Sequence, residues 1–127
     1  MNPLTLEWVD KAEGDLNTAR REYRARKFPN YDAVCFHSQQ AAEKYLKAVR
    51  QEKGLSIPRI HSLIELLALL AKSDTDFIIL IQTDASVLEG YAVQFRYPGL
   101  SANKAEASAA LSAAERIRAF VRANLNL

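Results

Sequence analysis

One cysteine, four glycines and four prolines in 127 residues are few, and each scarcity excludes something. A lone Cys35 makes no internal disulfide and brings no companion to a metal cluster. It reads as a small buried hydrophobe rather than a catalytic thiol. Proline, Gly54 and Gly99 stand at boundaries, and no repeat, low-complexity tract or long linker divides the chain, so residues 1–127 read as a single domain. No apolar run approaches the roughly 20 residues of a membrane span. The opening stretch "MNPLTLEWVDKAEGD" carries acids where a signal peptide would place bases before an apolar run. The expected location is therefore the cytoplasm, with no membrane partner. Also missing are a glycine-rich phosphate loop, a paired-aspartate site and a Ser-His-Asp pattern, so no catalytic residue and no cofactor are expected. A chain of this length buries roughly two thirds of its unfolded surface and needs no metal to hold a core.

What is present is helical periodicity. Five segments emerge, at about 4–27, 31–53, 62–72, 75–96 and 103–124. Asn2 and Pro3 form a cap and first-turn pair for the first, whose stripe is Val9, Ala12, Leu16, Ala19 and Tyr23. "FPN" at 28–30 ends it, because a residue before proline leaves the α region. Gly54 closes the second. Ser62 with Glu65 makes a capping box for the third and puts His61 just outside its start. The fourth takes Asp74 or Asp76 as its cap, and Ile78, Ile81, Ala85, Leu88, Ala92 and Phe95 make one continuous stripe. "RYPG" stops it. Asn103 and Glu106 cap the fifth, with Ala107, Ala110, Leu111, Ala114, Ile117 and Val121 facing inward. Long helices on short connections predict an all-α, up-and-down four-helix bundle with an additional helix.

The second helix raises a question. One face collects Val34, Ser38, Ala41, Ala42, Tyr45, Leu46 and Val49, and the other His37, Gln39, Gln40, Glu43, Lys44, Lys47, Arg50 and Gln51. Phe36 falls inside the polar face, beside Gln40, Glu43 and Lys47. A phenylalanine there predicts that the face is covered, by the end of the fourth helix or by a second subunit. Glu43 and Lys47 are spaced for an i,i+4 pair. On the covered reading, Phe36, His37, Glu43 and Tyr91 belong to a polar network or interface. On the open reading, Gln40, Lys44, Lys47, His61, Arg96 and Tyr97 are candidates for holding a nucleotide or RNA phosphate. Arg96 has a structural alternative, an ion pair with Glu43 or Glu89. Neither histidine has companions at ligand spacing, so no metal is expected.

Net charge is only +2, but "ARREYRARK" at 19–27 sets Arg20, Arg21, Arg24, Arg26 and Lys27 against Glu22 alone. Such a cluster is either a solvated helix end with cations near its C-terminus or a set of phosphate contacts.

"KAEGDLNTA", "HSQQAAEKYLKAV", "HSL" and "YAVQFRYPG", taken in order over nearly the whole chain, resemble the HEPN domain (higher eukaryotes and prokaryotes nucleotide-binding). The resemblance implies a helical bundle, often a homodimer. It implies a possible minimal nucleotidyltransferase partner in a toxin–antitoxin-like system. Other family members are metal-independent ribonucleases with an arginine, four to six residues, then a histidine. Here Arg59 is too close to His61, and no histidine follows Arg96. The resemblance thus implies a non-catalytic module that binds a nucleotidyltransferase, nucleotide or RNA. The alternatives are a ribonuclease with a degenerate site and a purely structural homodimeric bundle.

Overall fold

The computed structural model describes residues 1–95 and 97–127, leaving out the side chains at 81, 82, 92 and 93. All regular structure among these residues is helical. Helix α1 (Pro3–Tyr23) begins where expected: the Asn2 side chain accepts the Leu4 N–H and Pro3 fills the first turn. It ends four residues before the expected 27. The Arg24 N–H closes the last turn on Arg20, Ala25 then turns back to Glu22, and the Glu22 carboxylate accepts the Asn30 N–H at 2.6 Å. A folded-back turn therefore replaces the final helical turn.

Helix α2 (Tyr31–Glu52) is the central element and packs on α1, α3 (Leu63–Ala71), α5 (Ser86–Gln94) and α6 (Lys104–Asn124). Beyond it, Gly54 takes a φ of +70°, the left-handed conformation that lets the chain leave the helix. Before α3, the Ser62 hydroxyl accepts the Glu65 N–H at 3.2 Å. Asn103 and Glu106 form both bonds of a capping box on α6.

The segment from 75 to 94 departs from one continuous helix. Asp74 caps a 3₁₀ turn (Thr75–Phe77), followed by the short α4 (Ile78–Leu80), a π-helical turn (Ile81–Ala85) and α5. The buried side chains are Phe77, Leu80, Ala85, Leu88 and Phe95, whereas Ile78 is exposed. The expected stripe position at Ile78 is thus wrong by one residue. A π turn inserts one extra residue per turn, so everything before it rotates out of register. The turn also carries buried Asp84, which accepts from Arg116 of α6 at 2.8 Å. Expected stripe positions Ile81 and Ala92 lie outside the described side chains.

The core is alanine-rich between α1, α2 and α6, and larger around α3 and α5. Ala12, Ala41, Ala42, Ala48, Ala110, Ala113 and Ala114 are all buried, and such small residues permit close helix approach. Leu63, Leu66, Leu67, Leu70 and Phe77 fill the other side. Between α1 and α6, Glu13 takes Arg118 at 2.7 Å and Arg122 at 3.4 Å, while Arg20 grips Glu115 by two nitrogens at 2.6 and 2.8 Å. Burial works to raise the Glu13 pKa, but Tyr45, Arg118 and Arg122 outweigh it and hold the carboxyl below its usual range. Cys35 is buried, and its thiol is pushed up to about 12, by desolvation first and then by Asp32 and Glu106.

Candidate polar site along α2

The polar side of α2 is not a solvated face. Gln39, Glu43, Lys47 and Arg50 are all buried in a single chain. Burying charge is costly unless each group is paired, and each of these has a partner. The Glu43 carboxylate receives Lys47 Nζ at 3.4 Å and His61 Nδ1 at 3.1 Å. Lys47 also lies 5.8 Å from the centre of the Trp8 ring. Gln39 donates from Nε2 to the His61 carbonyl at 3.2 Å, and Gln40 donates to Gln39 Oε1 at 2.9 Å. Arg50 donates through Nε to the Ser56 carbonyl at 2.9 Å. Close by, the Glu89 carboxylate of α5 accepts the Ile64 N–H at 3.3 Å, tying α5 to the start of α3.

A second cluster lies one step round the helix. Asp15 of α1 receives His37 Nδ1 at 2.9 Å on one oxygen and Lys44 Nζ on the other. A carboxylate only accepts, so the pairing requires a hydrogen on Nδ1 of each histidine. In a neutral imidazole this leaves Nε2 as the free acceptor.

The structure thus brings Gln40, Glu43, Lys47 and His61 into one connected network, and His37 and Lys44 into the other. Tyr91 is half-buried and its ring meets Phe95 at 5.5 Å, packed against the core. Tyr97 is exposed. Arg96 lies outside the described residues. Phe36 touches the His37 ring edge-on at 5.1 Å but keeps 45% of its surface exposed. Among the described residues, the end of the fourth helical segment does not bury it.

Sequence reasoning overlooks Asp15 and the burial of Gln39. Asp15 stands between Gly14 and Leu16 on α1, one residue off the apolar stripe, so its position at the edge of a buried face is a signal. Gln39 lies between Ser38 and Gln40 with nothing in its local sequence to mark it as buried. No group of three or more His, Cys, Asp or Glu side chains among the described residues could hold a metal ion. No helix among them is long and apolar enough to cross a membrane.

Comparisons with known proteins bear on the family and the fold. A solved structure of protein TT1696 from Thermus thermophilus is 31% identical, with a TM-score of 0.79 over 93% of this chain and 95% of that one. A solved structure of ST0689, an archaeal HEPN homologue, is 27% identical, with a TM-score of 0.75 over 94% of this chain and 96% of that one. No curated protein matches. The family model for the HEPN domain matches residues 5–124, and the chain belongs to that family.

Proposed function

We propose that this HEPN protein is a non-catalytic binding module that works through the Phe36 side of α2. It pairs there with a second copy of itself and, as a dimer, engages a minimal nucleotidyltransferase in a toxin–antitoxin-like system. One observation carries the reading. Lys44, Lys47, His37 and Arg50 already hold partners inside the chain, while the apolar Phe36 among them lies open. A charged ridge satisfied internally has little left to offer a free phosphate, whereas an open aromatic on a rigid helix suits a protein interface. Asp32, one turn before Phe36 on the same side of α2, accepts the Ala102 N–H at 2.6 Å and holds the adjoining loop in place.

The test is the assembly state. Light scattering at micromolar concentration should give a dimer, and Phe36→Glu should give a monomer with unchanged helical circular dichroism. A monomeric parent protein would overturn the dimer. Co-purification from the native host should bring down a nucleotidyltransferase, and recovery of bound nucleotide or RNA alone, lost in Lys44→Ala, would favour the phosphate-binding alternative.

A degenerate ribonuclease is supported by a different observation. His61 is oriented by a buried carboxylate while its ring is 80% exposed, a geometry suited to proton transfer. Metal-independent cleavage of single-stranded RNA in EDTA, lost in His61→Ala, would establish it. The missing arginine–histidine spacing leads us to expect none.

A further inference from the structure

The turn between α1 and α2 presents the most exposed large hydrophobic side chain among the described residues. Phe28 keeps 96% of its surface in solvent and has a φ of +51°. A bulky residue in the left-handed region is an outlier, and one before proline is pressed further towards extended backbone. This conformation is maintained by its surroundings. Glu22 accepts the Asn30 N–H, Ala25 turns back to the Glu22 carbonyl, and the Tyr23 and Tyr31 rings meet at 6.4 Å across the base of the turn. The side chain is therefore held out on a fixed mount. Strain kept in this way is concentrated at functional sites.

The surroundings of Phe28 are cationic. Arg24, Arg26 and Lys27 are exposed, and Glu22, the acid among residues 19–27, is engaged by the Asn30 N–H. Beside Pro29 lies a hollow of about 240 Å³ lined by Pro29, Asn30, Tyr31, Asp32, Ser101 and Ala102, most of its surface polar. A protruding ring, three exposed cations and an adjoining polar hollow make a consistent set. A lipid surface would use the ring and the cations but has no use for a polar hollow. A strand of unpaired nucleotides uses all three: a base stacks on the ring, a neighbouring base edge meets polar groups, and phosphates meet the cations.

We propose that the α1–α2 turn is a docking point for single-stranded nucleic acid, with Phe28 as the stacking platform and Arg24, Arg26 and Lys27 as phosphate contacts. The site shares no residue with the α2 polar networks, but its hollow includes Asp32, one turn before Phe36, so the binding measurements are repeated in a Phe36→Glu background to keep the two surfaces distinguishable.

The experiment uses the full chain and fluorescein-labelled single-stranded RNA and DNA of about 12 nucleotides, within the usual site size. Fluorescence anisotropy should show both strands bound, more tightly than the matching duplex. Phe28→Gly should weaken binding about 5- to 160-fold, the range for losing one stacked base. It should not lower the melting temperature, because glycine accepts a positive φ freely. Loss of binding without loss of stability separates a docking role from a structural one. Phe28→Trp should retain affinity. The Arg24→Ala/Arg26→Ala/Lys27→Ala variant should flatten the slope of log affinity against log salt by about 2, at about 0.7 per phosphate on a single strand. Unchanged affinity in Phe28→Gly, or equal affinity for the duplex, overturns the proposal. So does Phe28-dependent sedimentation with phosphatidylserine vesicles and no effect on the oligonucleotides, which would assign the turn to a membrane surface.

Discussion

Two clusters on α2 use the same three kinds of group and differ in where they put them. In each, one carboxylate holds one lysine and one histidine, the histidine through Nδ1. Asp15 reaches across from α1, and its side chain is 13% exposed, with His37 and Lys44 each about a quarter exposed. Glu43 and Lys47 lie on α2 itself and are nearly sealed, at 5% and 8%, while His61 arrives from the loop before α3 and stays in solvent. The first cluster is a clamp between two helices in which all three members share the boundary with water. The second is a sealed ion pair with an exposed imidazole above it. The difference lies in dielectric, since a charge that keeps some water loses little when its partner goes, and a sealed one loses a great deal.

The largest effect should follow from breaking the sealed pair. Glu43→Ala leaves Lys47 buried without its carboxylate, which costs about 3–5 kcal/mol. Urea denaturation with an unchanged m-value measures it. Replacing both members, Glu43→Met with Lys47→Met, should recover most of that loss, because the penalty comes from the stranded charge and not from the absence of the pair. A loss under about 1 kcal/mol in Glu43→Ala would put this pair in the class of exposed surface bridges and erase the contrast.

Asp15→Ala tests the other side. It strips His37 and Lys44 of a shared acceptor, yet both can turn to water. The expected loss is about 1–2 kcal/mol, between the value of an exposed bridge and that of a hydrogen bond to a charged group. A cost equal to that of Glu43→Ala would mean that the two clusters are equally sealed in solution. Dimerisation over this face would produce that outcome, so the comparison should be repeated in a Phe36→Glu background.

The frame of this fold is legible in the sequence, and the reasons are local. Stripes on α1 and α6 repeat at regular spacing, Asn2 with Pro3 and Asn103 with Glu106 mark their starts, and Gly54 marks the close of α2. The 75–94 segment reads as helical, but nothing in it announces the π turn. Its sequence "IQTDA" contains no residue that demands an extra backbone position, and burial of Asp84 against Arg116 is a tertiary event. The end of α1 is hidden for a similar reason: Glu22 folds the chain back through a contact eight residues away. On α2, the helical wheel marks Phe36 as an anomaly, and Glu43 with Lys47 as a pair. It shows their neighbours as one polar surface, however, because a wheel sees a single helix. The partition into two clusters depends on Asp15 and His61, which reach α2 from other elements.

The smallest expected effect is also the one that defines the exposed member of the sealed cluster. His61→Ala should change stability by no more than about 0.5 kcal/mol, as for most surface substitutions, because Glu43 keeps Lys47 and the imidazole gives up mainly water contacts. Glu43 should still leave a mark on the ring. Its carboxylate accepts from Nδ1, so nitrogen-detected NMR should show the neutral imidazole carrying its hydrogen on Nδ1. In Glu43→Leu, which removes the acceptor, the population should move towards the Nε2–H form. His37 in the same spectrum serves as the internal reference, since Asp15 is untouched by that change. A stability loss above about 1 kcal/mol in His61→Ala would instead make the imidazole part of the sealed network. In that case the two clusters would differ only in depth, with no exposed group set apart for a ligand or a proton.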